Sequence, residues 1–174
     1  NKIELNMDGS FNVTPVKLNR ERLNSLQSHL MLYFTGVTRI ASDVVEDQLN
    51  NMQNVKNHYK RIQELVDEAL SSIQSPNVSI LEIGKLLHES WVLKRGLSNT
   101  ITNPQIDSIY QAGLDAGAIG GKILGAGGGG FILFFARPEV QFKIREKLKH
   151  MILVPFRFET DGSKIVLCEP NGFI

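Results

Sequence analysis

The residue types best suited to chemistry in this chain gather in one stretch, Gly120-Gly121-Lys122-Ile123-Leu124-Gly125-Ala126-Gly127-Gly128-Gly129-Gly130, followed at once by the apolar Phe131-Ile132-Leu133-Phe134-Phe135-Ala136. Seven of the first eleven residues are glycine. Glycine loses more backbone freedom on folding than any other residue, so such density is expected where the chain needs positive φ or close backbone approach. Successive bare N–H groups in a loop of this kind can form a nest that binds an anion. The apolar flank distinguishes the stretch from a polar, Ser-rich flexible linker. Lys122 sets a cation at its entrance.

Two phosphate-binding patterns were tested against the loop. Gly125, Gly127 and Gly130 satisfy the bare G-x-G-x-x-G spacing. The dinucleotide fingerprint also requires a strand before the glycines and a helix opening after them. The expected order here is the reverse, a helix before the loop and the strongest strand after it. The P-loop spacing fails as well, because Ala116 stands where its first glycine belongs and Ile123 where Ser or Thr would hold magnesium.

Other side chains with chemical potential are scattered. Arg39 falls in the first turn of a predicted helix, where the macrodipole disfavours a cation by about 0.3–1 kcal/mol unless an anion sits beside it. Pairing with Asp43, four residues on, is the simpler use of that charge. Lys94 and Arg95 lie in the last turn of another predicted helix, where cations are expected on dipole grounds; a substrate phosphate is their second reading. Trp91 continues an apolar helix face and reads as core before it reads as a sugar-stacking platform. His29, His58, His88 and His150 have no metal-ligand partner at useful spacing. His88-Glu89-Ser90-Trp91-Val92 misses H-E-x-x-H because Val92 replaces the second His. No metal site and no nucleophile–base pair is predicted.

The elements that must position these groups follow from periodicity. Ile3, Leu5 and Met7 alternate, Asp8-Gly9 is a turn signal, and Val13, Val16 and Leu18 follow, which predicts a hairpin whose second run is an edge because of Pro15. Asn19 caps a helix over 20–30. Leu30 to Phe34 is a continuous apolar run and predicts a central strand. Thr38 then opens a helical pattern from Ile40 to Ile73, broken near Asn50-Asn51, with a coiled-coil pairing as its alternative. Helices are expected from Ser79 to a C′ residue at Gly96 and from Asn103-Pro104 to Gly117. A strand at Phe131–Ala136, a helix from Pro138, an alternating strand through Val154, Phe156 and Phe158, a turn at Asp161-Gly162 and a return strand at Ile165–Leu167 complete the chain. This order predicts an α+β fold, an antiparallel sheet with helices on one face and a helical insertion.

Composition bounds the function classes. The chain has 174 residues, 42% apolar and 21% charged, with a formal charge of +1. That suits one soluble domain and argues for neither nucleic acid nor a charged membrane surface. No apolar run approaches the roughly 18 residues that span a bilayer, and the first residues do not read as a signal peptide. The single cysteine, Cys168, excludes an internal disulfide and reads as core, so a cytoplasmic setting is expected.

The stretch Lys122 to Phe131 resembles in full the third signature motif of the GHMP kinases, the superfamily of galactokinase, homoserine kinase, mevalonate kinase and phosphomevalonate kinase. Tyr33-Phe34-Thr35-Gly36-Val37-Thr38-Arg39 is similar to the strand-to-helix junction of its sugar kinases. Leu87 to Arg95 and Asp161-Gly162-Ser163-Lys164 resemble the D-glycero-D-manno-heptose 7-phosphate kinases. The resemblance runs from about residue 11 to about residue 170. It implies a ferredoxin-like C-terminal domain over 11–174, with residues 1–10 the end of, or linker from, an absent N-terminal domain. It implies transfer of the ATP γ-phosphoryl to the anomeric hydroxyl of the heptose phosphate, for surface-glycan synthesis. The catalytic acid, the ATP loop and the Mg2+ ligands would lie in the absent half, so no catalytic residue is expected here and this chain would not turn over by itself. Gly125, Ala126, Gly127, Gly128, Gly129 and Gly130 would form the active-site loop, and Arg39, Lys94, Arg95 and Lys122 are the candidates to hold the substrate phosphate. The partners implied are the sugar phosphate and the N-terminal kinase domain; the long helix leaves a homodimer open. A fucokinase-like sugar 1-kinase of the same superfamily is the nearest alternative, and a ferredoxin-like binding module without catalysis is the other. A kinase half should expose an apolar patch near the glycine loop, which a complete binding module would not.

Overall fold

The computed structural model describes residues 1–38 and 41–159, together with Gly162, Ser163 and Ile165. The expectations placed on Arg39, Asp161, Lys164 and Cys168 therefore lie outside the described residues.

Strands β1 (Lys2–Leu5) and β2 (Phe11–Thr14) form a separate hairpin. Asp8 makes its turn by accepting from the Ser10 N–H at 2.9 Å, and Gly9 adopts φ +83°. The hairpin pairs residues on both sides of position 10, and Pro15 stands just past its second strand. Helix α1 (Arg20–Ser28) starts where Asn19 Oδ1 accepts from the Arg22 N–H at 2.7 Å. Strand β3 (Leu30–Phe34) is central, as its continuous apolar run requires.

The long helical pattern resolves into α2 (Ala41–Asn51) and α3 (Lys56–Gln74), with the break just after Asn50-Asn51. Helix α4 (Leu81–Arg95) follows, and Arg61 on α3 donates to Glu89 on α4 at 2.7 Å. Gly96 does not serve as a left-handed C′ residue, because its φ is −75°. A side chain there would meet the His58 ring, Cβ to Nε2 3.0 Å. Helix α5 (Pro104–Asp115) has Asn103 as its cap, accepting from the Ile106 N–H at 2.9 Å, and Gly117 just beyond it adopts φ +107°.

One strand escapes the sequence pattern. Gly120–Ile123 forms β4, not loop, and pairs antiparallel with β5 (Phe131–Phe135). A turn of 3-10 helix at Pro138–Val140 leads into α6 (Gln141–Lys147), and the last described strand is β6 (Ile152–Val154). The alternating Phe156 and Phe158 are not in a strand; Phe158 is instead anchored by its N–H to Gln27 Oε1 at 2.8 Å.

The main sheet has the order β4-β5-β3-β6, all pairs antiparallel. In chain order this is β-α-β-β-α-β, with α2 to α4 inserted before the second strand, so the expected sequence of elements is corrected by β4. Met31, Tyr33, Ile123, Ile132 and Phe134 point to one face, where they are buried with Ile106, Ile109 and Tyr110 of α5 and with Ile144 and Leu148. The opposite face is covered at one end, where Phe135 packs with Leu26 and Ile80. At its other end Phe131, Phe34 and Ile152 lie side by side across three strands, and Phe131 and Ile152 remain 41% and 64% exposed.

Candidate functional site: the glycine-loop hairpin

The hairpin of β4 and β5 carries the glycine loop at its tip. The Leu124 N–H donates to the Phe131 carbonyl at 2.9 Å and closes the strands below it. Gly125, Gly127, Gly128 and Gly130 all adopt positive φ, +72°, +121°, +75° and +83°. A strand therefore precedes the glycines after all, but an antiparallel strand and not a helix follows them, so the dinucleotide arrangement stays excluded for this reason.

Two segments clasp the loop. On one side the Gly130 N–H donates to the Val37 carbonyl at 2.8 Å, and the Thr35 N–H and Oγ1 donate to the Gly130 carbonyl at 2.9 and 2.8 Å. On the other, the Gly128 N–H donates to the Ile101 carbonyl at 2.7 Å. Gly129 is wedged so closely that a Cβ would sit 2.3 Å from the Val37 oxygen. Helix α2 braces the second clasp: Asp47 accepts from Ser98 Oγ at 2.7 Å and Thr100 Oγ1 at 3.1 Å, Asn51 Nδ2 donates to the Leu97 carbonyl at 2.8 Å, and Gln48 Nε2 reaches the Ala126 carbonyl at 3.2 Å.

Two loop N–H groups are thus used inside the protein. Those of Gly125, Ala126, Gly127 and Gly129 have no protein acceptor among the described residues. The nest expected from sequence is partly an internal tie and partly a set of unused donors.

The basic candidates separate. Lys94 Nζ donates to the Gly125 carbonyl, which brings the end of α4 onto the loop. Lys122 lies on β4 at the loop entrance. Burial pulls both lysines below their ordinary pKa; Lys94, which also feels the Lys122 charge, falls to about 8. Neither has a carboxylate partner among the described residues. Arg95, the next residue, is turned to Asp107 at 3.1 Å, and Thr102 Oγ1 donates to the same carboxylate at 2.7 Å.

Trp91 is fully buried, 5.9 Å from the Tyr110 ring between centroids, which supports its reading as core. Beside it His88 Nδ1 and the Tyr110 hydroxyl are 2.6 Å apart, and burial pushes Tyr110 up to about 12. Sequence reasoning did not single out Asp47, Gln48, Ser98, Thr100 or Asp107 as supports of the site. Their partners are distant in sequence, 51 residues for Ser98 and Asp47, and polar loop residues carry no periodic signal. Thr35 was visible only inside the Tyr33–Arg39 motif. Among the described residues no three or more His, Cys, Asp or Glu side chains come together to hold a metal ion, and no helix is long and apolar enough to cross a membrane.

Comparison with known proteins agrees with this architecture. Residues 76–152 match the family model described as GHMP kinases C terminal. Over 163 residues, 87% of its length, the chain is 27% identical to D-glycero-alpha-D-manno-heptose 7-phosphate kinase of Campylobacter jejuni subsp. jejuni serotype O:2 (strain ATCC 700819 / NCTC 11168) and covers 45% of that protein. It is 29% identical over 121 residues, 68% of its length, to L-fucokinase/L-fucose-1-P guanylyltransferase of Bacteroides fragilis, covering 13% of it. Its fold superposes on that of L. major mevalonate kinase in complex with R-mevalonate with a TM-score of 0.68 at 20% identity, covering 87% of this chain and 47% of that one. The chain thus spans less than half the length of the curated relatives it matches.

Proposed function

We propose, from the match of residues 76–152 to the C-terminal family model of the GHMP kinases, that this chain is the C-terminal part of an ATP-dependent sugar kinase acting on D-glycero-D-manno-heptose 7-phosphate. The acceptor is the anomeric hydroxyl, and the product feeds surface-glycan synthesis in the cytoplasm. The observation that carries this reading is the 27% identity to the heptose phosphate kinase, which continues over 87% of the chain. Residues 1–10 are assigned to the junction with an N-terminal kinase domain and 11–174 to the C-terminal domain, with the β1–β2 hairpin bridging the two. The exposed Phe131 and Ile152, on either side of the half-buried Phe34 near the glycine loop, favour a domain that meets another over a self-sufficient binding module.

Phosphoryl transfer depends mainly on positioning and charge stabilisation. The glycine loop suits one wall of such a cleft. Its tip is held by Val37 and Ile101 while four N–H groups stay available for phosphate oxygens. ATP is bound mainly by the N-terminal half. The Mg2+ that would neutralise its phosphates is assigned to that half as well. This chain then contributes walls and substrate contacts and is inactive by itself.

The similarity to the Bacteroides fragilis fucokinase supports a second reading, a sugar 1-kinase acting on an unphosphorylated sugar. Steady-state ATP turnover by the full gene product, with the heptose 7-phosphate and with L-fucose, separates the two. Heptose-phosphate-dependent turnover that the 174-residue chain lacks is expected. Turnover with fucose in its place would establish the second reading, and turnover with neither would remove both.

A further inference from the structure

The pair Lys94 and Lys122 presents an electrostatic problem that the described residues do not solve. Two ammonium groups, one from the last turn of α4 and one from β4, are half-buried beside the same loop. Lys94 Nζ is held there by the Gly125 carbonyl, a neutral dipole. Two like charges withdrawn from water repel one another and have lost hydration, so an isolated pair is unfavourable.

Among the described residues the surrounding elements do not supply the missing negative charge. On α4, Arg95 is another cation and is taken by Asp107 of α5. On α2, Asp47 is occupied by the Ser98 and Thr100 hydroxyls. On β5 the residue opposite Lys122 is Leu133, and from α3 the neighbour at the end of α4 is His58, packed on Gly96. Tyr110 of α5 stays protonated because burial pushes it up to about 12. What lies beside the pair instead is a run of donors, the N–H groups of Gly125, Ala126 and Gly127, none with a protein acceptor among the described residues. Two cations beside loop N–H groups that have no protein acceptor among the described residues are complementary to an oxyanion of high charge.

We propose that Lys94 and Lys122, with the N–H groups of Gly125 to Gly127, form a subsite for a phosphate dianion, and that Arg95 is outside it. The inference deepens the kinase reading and rests on it for the source of the phosphate, which is either the phosphate already on the sugar or a phosphate of the nucleotide. A dianion here relieves the repulsion between the lysines and returns them to the fully charged state. Both lysines are drawn below their ordinary pKa by burial, so binding above neutral pH takes up a proton.

The test uses the full gene product and titration calorimetry at pH 8 in two buffers of different ionisation enthalpy. Inorganic phosphate, the heptose 7-phosphate, the same heptose without phosphate, and ATP are the probes. Lys94→Met and Lys122→Met are each expected to weaken at least one phosphate-bearing probe tenfold or more, with no effect on the unphosphorylated heptose. Lys85→Met, which removes an exposed cation from the same helix, and Arg95→Met serve as comparisons. Weakening confined to the heptose phosphate assigns the subsite to the substrate; weakening confined to ATP assigns it to the nucleotide. Proton uptake on binding should appear in the unmodified protein and fall in Lys94→Met. If both lysine variants are folded by circular dichroism and bind every probe like the unmodified protein, the subsite is overturned while turnover can still uphold the kinase reading. If no sugar is phosphorylated yet inorganic phosphate binds through the two lysines, the kinase reading falls and the subsite stands.

Discussion

Lys94 shows how a residue with an ordinary sequence address acquires an unusual property. At the end of a helix a lysine is expected simply because it complements the dipole. Packing of α4 against the glycine loop takes it out of water and near Lys122, and its pKa falls from 10.5 to about 8. Between those values the unfolded chain holds the proton and the native state has released it, so stability increases as pH rises from about 8 towards 10.5. Tyr110 acts oppositely above its usual value of 10.0, since the native state retains its proton. A comparison kept between pH 8 and 10 isolates the lysine. Urea unfolding of this chain should show the stability of the unmodified protein rising relative to Lys94→Met across that range. A constant difference between the two would mean that Lys94 keeps its ordinary pKa.

The decisive element is the β4–β5 hairpin. A loop rich in glycine would be loose if its ends were its only constraint. Here Gly130 is bonded in both directions to the Thr35–Val37 turn, and Gly128 is bonded to Ile101. Gly129 is the tightest point. An added methyl group would lie 2.3 Å from the Val37 oxygen and 2.8 Å from its carbonyl carbon, and these backbone atoms cannot rotate away. Gly129→Ala should therefore lower stability by about 1–3 kcal/mol, as overpacking usually does. Chemical denaturation measures it, and a loss below about 0.5 kcal/mol would show that the clasp gives way easily. Helix α2 belongs to the same unit, because Asp47 and Asn51 hold the Leu97–Ile101 segment against which the loop closes.

At the scale of the molecule the two sheet faces differ in kind. One is filled by α5 and α6, whereas the other leaves Phe131 and Ile152 exposed on either side of Phe34. An apolar row of this sort beside the glycine loop is what the proposed docking of a second domain would require. Phe131→Thr combined with Ile152→Thr should reduce binding of a hydrophobic dye to this chain by at least half while leaving its melting temperature within a few degrees. A large drop in melting temperature would instead assign both side chains to the core. The β1–β2 hairpin carries a comparable face, since Ile3, Val13, Leu5 and Phe11 are cross-strand neighbours and all are exposed.

The local features of the sequence were enough for much of this. The cap at Asn19, the helix start at Asn103-Pro104, the central apolar strand Leu30–Phe34 and the break in the long helix are short-range effects of side-chain chemistry, and they stand in the structure where the sequence pattern put them. The Lys122–Phe131 motif, on which the resemblance rests, likewise falls inside the stretch that matches the GHMP kinase C-terminal model. Strand β4 was illegible because Gly-Gly-Lys has no strand pattern; it is extended only through its pairing with Leu133 to Phe135. Which cations belong to the site was also a tertiary decision. Lys94 and Arg95 are adjacent in sequence and equally basic. The step of about 100° between successive helix residues directs them to different neighbours, Gly125 for one and Asp107 for the other, and only the folded chain brings those neighbours within reach.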